Sequence, residues 1–172
     1  MFCDKKYWST RQNAETELKE IAEKYLYLNN LALEEKPEDL VITTHVCRGN
    51  YHSTWASSGG YEPIARTLFG GENVDAFYLE FDDERSGGFE PLRFVPKDKK
   101  VVLGLLTTKS PTLEDEETII KRIHDASQFV TLDNLCLSPQ CGFASCEIGN
   151  KLSEEEQWAK LEHVKRIAKQ VW

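Results

Sequence analysis

His45 and Cys47 stand two residues apart in the stretch Thr44-His45-Val46-Cys47. In an extended chain, residues two apart point to the same side, so this imidazole and thiol can reach one ion. His-x-Cys alone is a weak signal. Further along, Glu80 in Tyr78-Leu79-Glu80 adds a carboxylate, and Cys141 in Ser138-Pro139-Gln140-Cys141-Gly142 adds a second thiol. One imidazole, two thiolates and one carboxylate form a donor set suited to tetrahedral Zn²⁺. Each member has a plainer reading. Glu80 opens an acidic run and can be a solvated carboxylate, and Cys141 can be a loop thiol before a glycine turn. The argument for the set is convergence, because each residue falls at the carboxyl end of an expected strand.

Those strands are read from apolar runs rich in β-branched residues. They cover 40–44, 74–79, 101–106 and 129–137. A helix at 10–33 precedes them, with Ala14, Leu18, Ile21, Ala22, Tyr25 and Leu28 on one face. Helices are expected at 61–69, closed by Gly70-Gly71, and at 113–128, with Glu114, Asp115, Glu116 and Glu117 in its first turn. The last helix starts at Ser153, with Glu156 three residues on as a capping box. Trp158, Leu161, Val164, Ile167, Ala168 and Val171 form its apolar side. The polar stretch 81–100 is long for a loop, with a short helix around 90–94 as the alternative. Short apolar strands alternating with helices indicate an α/β fold with parallel strands. A doubly wound sheet and a (β/α) barrel both fit. A complete eightfold barrel needs about 250 residues, so 172 residues hold about half of one. In both architectures, sites form at the carboxyl edge of the sheet.

With 29 acidic and 21 basic residues the net charge is −8, which argues against nucleic acid or an anionic membrane as the main partner. No apolar run reaches the roughly 18 residues of a spanning helix. The start, Met1-Phe2-Cys3-Asp4-Lys5-Lys6, lacks the apolar stretch of a signal peptide, so the cytoplasm is the expected compartment. Five cysteines, Cys3, Cys47, Cys136, Cys141 and Cys146, are an odd number in such a setting. Metal ligation or a reactive thiol is therefore a better reading than a disulfide framework, with buried apolar thiols as the plain alternative, above all for Cys136. His52 reads as a polar loop residue, His124 and His163 as helix-face residues, and Trp8 and Trp55 as core or stacking residues.

The stretches Thr44-His45-Val46-Cys47-Arg48-Gly49-Asn50-Tyr51, Tyr78-Leu79-Glu80 and Ser138-Pro139-Gln140-Cys141-Gly142 resemble, in order and spacing, the catalytic barrel of cobalamin-independent methionine synthases, closest to its short single-barrel branch. The resemblance covers about residues 40–172 and extends to the leading helix. It implies a partial (β/α)8 barrel, with about four C-terminal βα units, over residues 1–172. It implies zinc held by His45, Cys47, Glu80 and Cys141, and methyl transfer from a methylated folate to the thiol of homocysteine. Long members carry a proton-donating histidine before a Ser-Pro pair. Here Lys109 occupies that position in Thr108-Lys109-Ser110-Pro111, either as a weak acid or as a charge-balancing cation. The acidic motif that contacts the homocysteine amine falls before Met1. The chain thus resembles the C-terminal half of the barrel, completed by an N-terminal half or a second copy. The competing expectation is a half-barrel that binds zinc without catalysis of its own. Zinc hydrolysis is disfavoured, since four protein ligands leave no position for water.

Overall fold

The computed structural model describes residues 4–172. Met1, Phe2 and Cys3, and with them the fifth cysteine and the start of the N-terminal segment read above, lie outside the described residues. A one-turn helix, α1 (Lys5–Trp8), precedes α2 (Ala14–Leu33). Strands and helices then alternate, except between β2 and β3, which are joined by 3-10 turns: β1 (Thr43–Val46), α3 (Ala65–Gly71), β2 (Ala76–Glu80), β3 (Lys100–Leu106), α4 (Glu116–Ala126), β4 (Leu135–Pro139) and α5 (Glu154–Val171). The strands form one parallel sheet in the order β1-β2-β3-β4. The fold is α/β, and sequential parallel strands joined through helices are what an arc of a (β/α) barrel contains. No helix among the described residues is long and apolar enough to cross a membrane.

The outer strands start later than the apolar runs suggest. β1 covers 43–46 rather than 40–44, leaving Leu40 and Val41 exposed. β4 covers 135–139 rather than 129–137, because residues 132–134 form a 3-10 turn first. A β-branched run marks strand propensity, but the register of the neighbouring strand decides where pairing begins. In the stretch 81–100, 3-10 turns form at Glu84–Ser86 and at Glu90–Phe94, the second where a short helix was the alternative.

The two faces of the sheet differ. Phe77, Leu79, Val101, Leu103 and Leu105 alternate along β2 and β3 onto the helix-covered face, and each is fully buried. Behind them Phe69, Tyr61, Phe81 and Phe89 continue the core, with ring centroids 4.7–5.7 Å apart. On the opposite face, His45, Tyr78, Val102 and Cys136 are in register across the four strands. Tyr78 is 40% exposed there although β2 is a central strand. Cys136 is half-buried on this open face rather than enclosed among apolar side chains.

Two helices depart in part from their expected faces, although Val164, Ile167 and Val171 of α5 do pack on the core. The capping box of α5 is present, but Trp158 and Leu161 are exposed while Lys160 and His163 are buried. The cause is Glu114, which lies before α4 rather than in its first turn. Its two carboxylate oxygens each accept from Lys160 Nζ at 2.9 Å, and Oε1 also accepts from the Thr107 amide at 2.9 Å. His163 Nε2 lies 2.7 Å from the Glu114 carbonyl oxygen. α2 buries none of its residues. It docks on α3 through Leu26, which covers Gly71, and through Asn29 and Asn30.

Asn29 donates at 2.8 Å to Oε1 of Glu72, whose Oε2 is buried without a partner. Burial pushes the Glu72 pKa above the usual glutamate range. The native state therefore prefers the protonated acid, and the wild type loses stability as pH rises from the ordinary glutamate range through the raised value. Glu72→Gln is expected to melt higher than the wild type at pH 7.5, by about 1 kcal/mol. The gap should narrow toward pH 4 when thermal unfolding is followed at both pH values. Equal gaps at the two pH values would contradict this.

Candidate metal centre at the carboxyl edge of the sheet

His45 lies on β1 itself, one residue before the strand ends, and Cys47 immediately follows the strand. Cys141 comes from the loop after β4, two strands beyond β2. Neighbouring strands sit roughly 4.8 Å apart, so a loop that merely continued β4 could not reach β1. Three local features carry it across. A bulge between Gly104 and Leu106 shifts the register of β3 against β4. The Gln140 amide donates to the Leu106 carbonyl at 2.8 Å. A Cβ at Gly104 would stand 2.9 Å from the Leu79 carbonyl oxygen and 3.3 Å from Gln140 Cα, so glycine is what lets the loop pass. Cys141 then takes φ +57° and Gly142 φ +70°, turning the thiol back toward β1.

The ligand atoms of His45, Cys47 and Cys141 all lie within 4.8 Å of one another, and His45 Nε2 is 3.2 Å from Cys141 Sγ. The two sulfurs stand close enough to share one proton. Hydrogen bonding to Cys141 and to the His45 imidazole draws Cys47 down toward the thiolate. The neighbouring Cys47 sulfur and burial push Cys141 up, and contact with Cys47 raises His45. A divalent cation would allow both thiols to ionise. Two sulfurs and an imidazole are borderline-soft donors at mutual distances an ion can span. They fit zinc better than magnesium or calcium, which take oxygen.

Glu80, the last residue of β2, stands outside this trio. Its side chain is fully buried, Oε2 accepts from the Arg48 amide at 2.5 Å, and Oε1 accepts from Arg85 Nη2 at 3.0 Å. Burial raises its pKa, and Asp82 adds to this, while the Arg48 amide opposes it. Lys109 is also placed here. Its ammonium donates to Asp82 Oδ2 at 2.9 Å and to Gln140 Oε1 at 2.7 Å, and lies 3.9 Å from Glu80 Oε1.

Several residues that frame the site carry no sequence signal of their own. The Tyr61 hydroxyl donates to the Val46 carbonyl at 2.6 Å and accepts from the Glu80 amide at 2.8 Å, tying together the ends of β1 and β2. The Arg48 guanidinium lies 4.2 Å from the Tyr61 ring and donates to Gly59 O. Buried Thr108 donates to Gln140 O at 2.7 Å and accepts from the side chains of Asn50 and Asn150. His52, at φ +46°, lies 3.0 Å from Gly149 O. It thus joins the first and last loops as a polar tie. Trp55 is exposed, with Arg85 stacked 4.6 Å from its ring, while Trp8 is buried. Beside the thiols, Thr43, His45, Tyr78, Ser138, Gln140 and Cys141 line a cleft of about 390 Å³ on the open face of the sheet.

A family model described as "Cobalamin-independent synthase, Catalytic domain" matches residues 11–170. Over 144 residues the chain is 58% identical to protein YxjH and 57% identical to protein YxjG, both of Bacillus subtilis strain 168. Those matches take in 83% of this chain and 38% of each relative. Among solved structures, a Listeria monocytogenes protein described as a vitamin-B12-independent methionine synthase superposes with a TM-score of 0.68 at 47% identity, covering 88% of this chain and 41% of that one. A B12-independent methionine synthase from Shewanella sp. W3-18-1, in complex with selenomethionine, shares the fold with a TM-score of 0.70 at 22% identity, over 93% and 46% of the two chains. The chain therefore spans less than half the length of the relatives it matches.

Proposed function

The chain belongs to the cobalamin-independent methionine synthase family, through its catalytic domain, and from that premise we propose that residues 1–172 are the metal-bearing C-terminal half of a methyl-transferring barrel. The reaction we assign is transfer of a methyl group from a methylated folate to the sulfur of homocysteine, giving methionine. The observation that carries this reading is the meeting of His45, Cys47 and Cys141 at the carboxyl edge of a parallel sheet.

In this reading His45, Cys47 and Cys141 would hold zinc, with Glu80 as the fourth ligand. A free thiol of pKa about 8.5 is mostly protonated at pH 7, and bound zinc supplies the charge that keeps an acceptor thiol ionised. The protein's own groups do the rest. Arg48 and Arg85 keep Glu80 oriented at the end of β2. The acceptor reaches the sulfur ligands along the cleft beside Tyr78 and Ser138. As the new S–CH₃ bond forms and the donor's N–CH₃ bond breaks, the released nitrogen takes up a proton. The Lys109 ammonium is committed to Asp82 and Gln140, which supports a charge-balancing cation over a proton donor. Small-molecule substrates suit the acidic balance better than nucleic acid would, and we place the enzyme in the cytoplasm.

A second reading is favoured by the uncovered sheet face with its exposed Tyr78. Here the chain binds zinc but catalyses nothing until another half-barrel covers that face. Elemental analysis of the purified chain, followed by methionine formation assays with and without the preceding half of a full-length relative, separates the two. Stoichiometric zinc with turnover only in the mixture supports the second. Turnover by the chain alone supports the first. A folded chain without zinc would overturn both.

A further inference from the structure

We propose that Gln140 is a positioning residue that tempers the Cys141 sulfur through an N–H···S hydrogen bond, and that Lys109 locks it in that orientation. The inference rests on the metal site assigned above and concerns how its two sulfurs are made unequal.

The backbone of Gln140 is fixed on both sides, its amide donating to Leu106 O at 2.8 Å and its carbonyl accepting from Thr108 Oγ1 at 2.7 Å. Its side chain is essentially buried and makes two contacts of opposite character. Oε1 accepts from Lys109 Nζ at 2.7 Å, and Nε2 donates to Cys141 Sγ. A side-chain amide can turn its oxygen and nitrogen either way round, but an ammonium only donates. Lys109 therefore admits only the oxygen, which forces the NH₂ group onto the sulfur. Lys109 is itself held by Asp82 Oδ2 at 2.9 Å, with its side chain only 10% exposed. Asp82, Lys109, Gln140 and Cys141 thus form one directional chain from β2 to the thiol.

Among the described residues, Cys47 receives no side-chain amide of this kind. Its sulfur accepts from the Gly49 backbone amide at 3.4 Å. A hydrogen bond to a metal-bound thiolate draws charge from the sulfur and weakens it as donor and nucleophile. Two thiolates and a carboxylate around one divalent cation leave excess negative charge, and any electron-rich sulfur beside a methyl donor competes with the substrate thiol for the methyl group. The Gln140 contact lowers that competition at Cys141, the sulfur lining the substrate cleft.

The test uses cobalt(II) in place of zinc, since the sulfur-to-cobalt charge-transfer band reads the charge on the thiolates. Gln140→Leu is expected to move the band to longer wavelength at full cobalt occupancy. It should also raise the rate of Cys141 alkylation by iodoacetamide several-fold, mapped by peptide mass, with Cys47 little changed. Lys109→Met frees the amide to turn and should shift the band the same way by less, so it also decides the matter if Gln140→Leu fails to fold. Loss of metal affinity in both variants with an unmoved band and unmoved alkylation would mean a structural role only, and would overturn the proposal. A wild-type chain that takes up neither cobalt nor zinc would overturn the underlying metal site as well.

Discussion

Cys141→Ser is expected to remove stoichiometric zinc from the purified protein while leaving its circular dichroism spectrum unchanged. The three ligand atoms meet within 4.8 Å only because the loop after β4 delivers this sulfur to β1. A serine hydroxyl is a harder and far less acidic donor, and it leaves one sulfur, one imidazole and the arginine-held Glu80 carboxylate, a set too weak to retain the ion. The affinity loss should exceed the roughly 10–100-fold typical of losing an outer partner of a ligand. Chelator competition followed by elemental analysis measures it. Cys136→Ser is the control, because that thiol lies on the same open face but outside the cluster. Full zinc retention in Cys141→Ser, or equal loss in Cys136→Ser, would sink the assignment.

The largest expected effect on stability lies away from the site, at Glu114. Its carboxylate takes two hydrogen bonds from the fully buried Lys160 ammonium. Glu114→Ala leaves that charge with the Thr112 carbonyl as its remaining partner. Stranding one member of a buried pair costs about 3–5 kcal/mol, a melting shift on the order of 10 °C for a domain of this size. Replacing both partners, as Glu114→Leu with Lys160→Met, removes the stranded charge and should recover most of the loss. A single variant within about 1 kcal/mol of the wild type, by the usual scale of surface substitutions, would show that the pair is hydrated.

These residues also show what the sequence made legible. The strand cores of β2 and β3 could be read because Phe77, Leu79, Val101, Leu103 and Leu105 fill the helix-covered face while Ala76, Val102 and Leu106 beside them are also buried and apolar. The ends of β1 and β4 could not, because register with a neighbour sets them. The apolar stripe of α5 holds at Val164, Ile167 and Val171 but not at Trp158 and Leu161, since Lys160 and His163 are buried through Glu114, 46 and 49 residues away. The site divides the same way. His45, Cys47 and Cys141 were identifiable from donor chemistry and strand-end position. Nothing local marked Tyr61, Thr108 or Gln140, whose roles come from hydrogen bonds to residues distant in sequence. The grip of Arg48 and Arg85 on Glu80 was equally hidden, since carboxylate partners are chosen by packing.

Cys141 reaches His45, 96 positions earlier in the chain, only by passing over the end of β3 at Gly104. The trio therefore cannot assemble until β2 and β3 have paired between the outer strands. A growing or half-folded polypeptide exposes the His45–Cys47 pair long before Cys141 arrives, and a pair is too few ligands to retain a scarce cation. On the proposed metal assignment, ion capture is a late event in folding, governed by the slow long-range pairings of a parallel sheet. An immature chain would then not draw zinc from the cell's pool, and a loaded centre would certify that the whole arc had closed up.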